Sequence, residues 1–302
     1  MSRTFVIGAR KSQLSLRQVD IVVTALRAAH PDCVTQFREI TTQGDTSIAP
    51  LSQIGGLGVF TKAIEDALLS REIDIAIHSL KDLPPLLADG LVLGAVPPRG
   101  DARDALITRG VRPLEQLRRG ARIGTGSARR AVQLKTLRPD LEIADIRGNV
   151  PTRMAKVESS EYDAVVLALA GLERLMLAEK AAHIFSIEEM VPAVGQGALG
   201  VEVRADDAET MEFVRAIDHE ATRVAVTAER ALLERLGAGC MMPVGAHAML
   251  IGGDIQIRAI LGIEGGIRVS ERIAPVKNAL ALARQLADEL QAPPVVPTPH
   301  DR

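Results

Sequence analysis

The chain has 302 residues, a net charge of -2 and 47% hydrophobic residues, which excludes a disordered chain and a basic nucleic-acid binder. Its length accommodates two or three domains, each with its own core. Two cysteines are too few for a disulfide scaffold, so the cytoplasm is expected, or a plastid or mitochondrial matrix for a processed form. Met1 to Lys11 carries Arg3, Arg10 and Lys11 without an apolar stretch between them, and no apolar run reaches membrane-spanning length. Neither a signal peptide nor a membrane partner is expected.

Thr4 to Gly8 reads as a short apolar strand, and Ser12 opens a helix with Leu16, Val19, Val23 and Leu26 at helical spacing. Next come the strand Val34 to Ile40, a helix marked by Phe60, Ile64 and Leu68, and the strands Ile73 to His78 and Leu91 to Val96. This is the rhythm of a parallel sheet covered by helices. After Pro97-Pro98-Arg99-Gly100 it restarts, with strands at Arg122 to Gly124, Leu141 to Asp145 and Asp163 to Leu169, and helices after Ser127, Val150 and Gly171. Ile7-Gly8-Ala9-Arg10-Lys11-Ser12 and Ile123-Gly124-Thr125-Gly126-Ser127-Ala128-Arg129 share one plan of strand, glycine turn, hydroxyl cap and helix. Two similar lobes would place these turns on facing edges of a cleft, where open sheets bind ligands.

A third region begins with a helix carrying Ala221, Val224, Ala225, Ala228, Leu232 and Leu236 on one face, leading into Gly237-Ala238-Gly239-Cys240. Gly252-Gly253 and Glu264-Gly265-Gly266 separate strands in which Ile255, Ile257, Ala259 and Leu261 alternate with polar Gln256 and Arg258. Leu282, Leu286 and Leu290 mark a last helix, and a frayed tail is expected from Pro293. The expected fold class is therefore α/β: two similar doubly wound lobes, 1–97 with 198–216 and 102–192, plus a small α+β domain with an antiparallel sheet over 219–302.

Arg129 and Arg130 fall in the first turn of a helix, where the dipole disfavours cations. A local rule broken this way often marks a site. With Ser127 and the turn amides they would form a pocket for carboxylates or phosphates. Arg10 precedes Ser12 in the matching turn, Arg147 and Arg153 flank Asn149, and Arg174 follows Gly171. Repeated cations at strand-to-helix turns point to a ligand with many negative groups. Asp82, next to Lys81, stands as a lone acid among them. It either serves a developing cation and a proton transfer or is a turn aspartate paired with Lys81. Cys240, just past a helix end, is either a small packed residue or a displayed thiol. Gly124-Thr125-Gly126-Ser127-Ala128-Arg129 lacks the last glycine of a dinucleotide fingerprint. The six histidines lack ligand spacing, so no metal is expected.

The chain resembles the porphobilinogen deaminase (hydroxymethylbilane synthase) family from about Ile7 to Leu290. The motifs that carry the resemblance are Gly8-Ala9-Arg10-Lys11-Ser12-Gln13-Leu14, His78-Ser79-Leu80-Lys81-Asp82-Leu83-Pro84, Ser127-Ala128-Arg129-Arg130, Arg147-Gly148-Asn149-Val150 to Arg153, Pro192-Ala193-Val194-Gly195-Gln196-Gly197-Ala198, and Glu229-Arg230 to Gly239-Cys240. The resemblance implies a transferase that joins four porphobilinogen molecules with loss of ammonia. A dipyrromethane cofactor held by a thioether to Cys240 would prime it, and Asp82 would stabilise azafulvene and pyrrolenine cations.

The resemblance also assigns Ser12, Lys81, Thr125, Ser127, Arg129, Arg130 and Arg153 to the cofactor. It assigns Arg10, Arg147, Asn149, Arg153, Arg174, Phe60 and Gln196 to the substrate. Thr42 to Gly58 looks like the family's lid, although Leu57 stands where the family has lysine and Met241 where it has glutamine. A monomer is implied. The rival is a non-enzymatic, two-lobed anion binder with the architecture of periplasmic solute receptors.

Overall fold

The computed structural model describes residues 3–42, 61–237 and 242–293. The expectations for Phe60, Leu57, Cys240, Met241, the lid beyond Thr42 and the tail beyond Pro293 therefore lie outside the described residues.

The chain runs through β1 (Thr4–Ala9), α1 (Gln13–Ala29), β2 (Val34–Glu39), α2 (Lys62–Leu69), β3 (Ile75–Ser79) and β4 (Leu91–Ala95), then crosses into a second sheet. There it forms β5 (Asp104–Thr108), β6 (Arg122–Gly124), α3 (Ala128–Leu137), β7 (Glu142–Ala144), α4 (Val150–Glu158), β8 (Ala164–Ala168), α5 (Leu169–Arg174) and β9 (Ala181–Ile184). It returns as β10 (Leu199–Arg204) and α6 (Ala208–Arg215), and closes with α7 (Glu220–Arg235), β11 (Val244–Ile251), β12 (Asp254–Ile263), β13 (Gly266–Pro275) and α8 (Ala279–Gln291).

The two large sheets have orders β2-β1-β3-β10-β4 and β7-β6-β8-β5-β9. Strands joined through a helix run parallel, β1 with β2 and β3, and β6 with β7 and β8. The expectation of wholly parallel sheets is corrected at β10, antiparallel to β3 and β4, and at β5, antiparallel to β8 and β9. These strands enter from the other lobe without a covering helix, so no parallel crossover dictates their direction. Both are buried at every position.

Gly171, expected to make a turn before a helix, lies inside α5 instead. The helix starts directly at the end of β8, and the missing side chain at Gly171 lets Leu14 and Val150 approach within 4 Å of where its Cβ would stand.

The third sheet, β11-β12-β13, is antiparallel throughout. Helices α7 and α8 cover it, and Leu232, Ile255, Ile257, Leu286 and Leu290 share its core. Two crossings between the lobes touch backbone to backbone: Gly100 N donates to Gly197 O at 3.1 Å. Gly197 has φ +88, and a Cβ there would lie 2.5 Å from Gly100 O. Glu229 of α7 fastens this crossing to the third domain. Its fully buried carboxylate accepts from Arg99 Nη1 at 2.6 Å and Nη2 at 3.2 Å, from Gly195 N at 2.7 Å and from Ala248 N at 2.8 Å.

Candidate active site

The helices of the two lobes start where the sequence places their caps. Ser12 Oγ accepts from Ser15 N at 3.2 Å, Ser127 Oγ from Arg130 N at 3.4 Å, and Asn149 Oδ1 from Thr152 N at 3.0 Å. Each oxygen satisfies an orphan amide of the first turn. The side-chain oxygens at these turns therefore serve their own helices. Thr125 Oγ1 similarly accepts from Ser127 N at 3.2 Å.

Between the lobes lies a cavity of about 670 Å³. Six cations line it: Arg10, Lys81, Arg130, Arg147, Arg153 and Arg174. Ser12 and Asn149 reach it too, and Asp82 is the one carboxylate among its lining residues. Asp82 sits in a short 3₁₀ turn, Leu80–Asp82, directly after β3, and is exposed. This arrangement fits a ligand that brings several carboxylates, since six cations gathered in one cleft favour opposite charge between them.

Four expected site residues are not among those lining the cavity: Thr125, Ser127, Arg129 and Gln196. Arg129 is 4% exposed and donates through Nη1 to Val191 O at 2.7 Å. Gln196 is buried, its Nε2 donating to Ala102 O at 2.7 Å and to Asp104 Oδ1 at 2.9 Å. His78 of the same motif as Asp82 turns into the sheet, where its Nε2 meets Glu202 Oε2 at 3.1 Å in a buried pair.

The crowding of cations shows in their titration. Burial, then the neighbouring Arg130, pushes Lys81 down to about 8, while Asp82 and Asp104 pull it up. Burial, then Arg130 and Arg147, lowers Arg153 to about 10, and its Nε donates to Gly148 O at 2.7 Å. Burial also lowers Arg174, whose Nη2 donates to Gly197 O at 2.6 Å. This arginine thus contacts the crossing turn before β10 and the cavity at once.

Asp104 escaped the sequence reading, and so did the role of Glu229 as a buried anchor. The available signal for Asp104 was an acid opening the apolar run Ala105-Leu106-Ile107, because a carboxylate on a buried strand needs a cationic partner. For Glu229 it was an acid on the apolar face of a helix, beside Ala225, Ala228 and Leu232.

Residues 5–212 match the family model described as porphobilinogen deaminase, dipyromethane cofactor binding domain, and residues 223–292 match the porphobilinogen deaminase C-terminal domain. The chain belongs to the porphobilinogen deaminase family. The porphobilinogen deaminase of Roseiflexus sp. (strain RS-1) is 45% identical, covering 96% of this chain and 96% of that protein. That of Desulforudis audaxviator (strain MP104C) is 47% identical, covering 96% and 95% respectively. Among solved structures, a periplasmic binding protein of Salmonella typhimurium with high arginine specificity has 13% identity and a TM-score of 0.43, covering 78% of this chain and 99% of its own.

Membership of the porphobilinogen deaminase family makes the chain a deaminating transferase of tetrapyrrole biosynthesis with a dipyrromethane cofactor. It condenses four porphobilinogen molecules head to tail into hydroxymethylbilane, and the reading as a non-enzymatic anion binder is set aside. Among the described residues no helix is long and apolar enough to cross a membrane, and no three or more His, Cys, Asp or Glu side chains are grouped so as to hold a metal ion.

Proposed function

We propose that Asp82 is the catalytic carboxylate of this cleft, and that the six cations around it hold the acetate and propionate groups of the pyrroles. The observation that supports this is the placement of one acid among those cations on the cavity wall. As ammonia leaves the aminomethyl carbon of porphobilinogen, the Asp82 carboxylate offsets the positive charge on that ring. It then accepts the proton displaced from the ring carbon that forms the new bond.

Lys81, Arg130, Arg153 and Ser12 would hold dipyrromethane, attached to Cys240 Sγ by a thioether. When bound, it supplies the nucleophilic pyrrole carbon at which the chain starts. Arg10, Arg147, Asn149 and Arg174, together with Arg153, would receive incoming substrate. Thr125, Ser127, Arg129 and Gln196 support the wall from behind and orient Arg130. A monomer in the cytoplasm completes the reading, and the sparse cysteines of the chain support the reducing compartment.

The test is consumption of porphobilinogen, followed by the absorbance of porphyrin formed on oxidising the product. Asp82→Asn should lower kcat at least about 100-fold, the usual scale of an acid–base group, with an unchanged circular dichroism spectrum. Wild-type turnover by Asp82→Asn would overturn the assignment. Intact mass should show the cofactor on the unsubstituted chain and its absence from Cys240→Ser; an unmodified mass for active protein would rule out the thioether.

A further inference from the structure

Asp104 opens the buried strand β5 with none of its surface exposed, a position where a carboxylate is costly unless its oxygens are filled. Both oxygens face positive charge that one acid cannot balance, Oδ1 through hydrogen bonds and Oδ2 through an ion pair without a hydrogen bond. Oδ1 accepts from Arg130 Nε at 3.0 Å, Arg130 Nη2 at 2.7 Å and Gln196 Nε2 at 2.9 Å. Oδ2 lies 2.8 Å from Arg129 Nη1. Each guanidinium also has a carbonyl partner, Val166 O for Arg130 at 2.9 Å and Val191 O for Arg129 at 2.7 Å.

A third cation completes the group. Charges that act on Lys81 include Arg130 and Arg129 from α3, Asp104 from β5 and Asp82 from its own turn, and of these Arg130 and Asp82 share the cavity wall with it. Lys81 and Arg130 line the cavity, whereas Arg129 and Asp104 do not. Apart from Asp82, which the proposed chemistry reserves for the reacting ring, the floor of the cleft combines three cations with one buried carboxylate, a net charge of plus two. One pyrrole ring, with its acetate and propionate, carries the equal and opposite charge.

We propose that Asp104 is a positioning residue that matches the charge of the cleft floor to a single pyrrole ring, by absorbing one of the two guanidinium charges and so keeping the Lys81 ammonium protonated. The inference rests on the reading that this cleft holds pyrrole carboxylates. Without Asp104 the three cations would repel one another, and the proton most easily shed is that of Lys81, since a guanidinium keeps its own. The floor would lose its charged contact at Lys81, the residue that faces the ligand, while retaining the buried charge behind it. Arg129 sets the opposite bias: it adds positive charge from behind the wall.

The titration of Lys81 can be read directly in the full-length, cofactor-free Cys240→Ser chain, as the pH dependence of its acetylation by acetic anhydride followed by peptide mass spectrometry. Its midpoint should lie near 8 with the floor intact. Asp104→Asn should lower it by about one pH unit, the scale of a nearby charge. Arg129→Gln should raise it by a similar amount, and the double variant should bring it back. In the cofactor-loaded enzyme the alkaline limb of kcat/KM should move in the same directions.

A purely structural carboxylate would lower Tm and leave these midpoints in place. Unmoved midpoints in folded Asp104→Asn or Arg129→Gln overturn the proposal, and if Asp104→Asn does not fold, Arg129→Gln alone decides. An enzyme that consumes porphobilinogen but has an immobile Lys81 midpoint refutes this inference and spares the catalytic assignment. A chain that consumes none refutes the catalytic assignment through a different measurement.

Discussion

Replacing Glu229 by glutamine tests how the three domains are held together. The carboxylate is fully buried and takes four donors, the two Arg99 Nη atoms and the backbone amides of Gly195 and Ala248. Glutamine keeps the shape but puts an NH₂ group where one oxygen stood. Each oxygen serves one Arg99 nitrogen and one backbone amide, Oε1 with Ala248 and Oε2 with Gly195. Either rotamer of the amide therefore leaves one backbone N–H facing a donor, and Arg99 without its counter-charge.

Breaking a buried ion pair from one side costs about 3–5 kcal/mol, and an orphaned amide adds on the order of 1 kcal/mol. Taking about 4 kcal/mol in total, and roughly 2–4 °C per kcal/mol for a chain of this class, Tm should fall by about 10 °C. Scanning calorimetry should also show the third domain melting ahead of the lobes, because Arg99 and Gly195 belong to the crossing while Ala248 belongs to β11. The double variant Arg99→Met with Glu229→Met, which removes both charges but orphans the amides of Gly195 and Ala248, should recover only part of the loss. A Glu229→Gln protein melting within about 2 °C of the parent would refute the reasoning, since it would mean the four contacts contribute on the scale of a surface pair.

Lys81 has a folded-state pKa of about 8 against 10.5 when unperturbed, so the folded state holds its proton less tightly than the unfolded chain. Its cost to stability is fully present below about 8 and vanishes above about 10.5. Lys81→Met should therefore stabilise the protein at neutral pH by up to ~3 kcal/mol while weakening cofactor retention, and urea unfolding at pH 7 and pH 10 should show the gain shrinking. Gly197→Ala combines a φ of +88 with a Cβ 2.5 Å from Gly100 O. It should cost at least about 2 kcal/mol and raise KM through Arg174, which donates to the same Gly197 carbonyl; unchanged Tm and KM would rule out the tight crossing.

Part of the site could be read before any coordinates, because helix starts are local events. The caps Ser12, Ser127 and Asn149 and the cations beside them are fixed by residues within a few positions of one another. The sequence also pointed to a polyanionic ligand, since Arg10, Arg130, Arg147, Arg153 and Arg174 recur at such turns and do line the cavity. It left the partner of Arg129 open: an arginine in the first turn of a helix reads the same whether it faces a ligand or a buried carboxylate 25 positions earlier in the chain.

The sequence by itself determined the helices, their caps, the alternating strands of the third domain and the surplus of arginine over acid at the turns, all set by propensity and periodicity over short spans. Tertiary structure alone decided which charges meet. β5 and β10 take antiparallel places in their sheets because the chain delivers them across the lobe boundary, and only that exchange brings Asp104 between Arg129 and Arg130, and Gln196 against Asp104. Glu229 reaches Arg99 across 130 positions for the same reason. Pairings between buried charges depend on contacts that are distant in sequence, so local pattern can name the participants but cannot assign their partners.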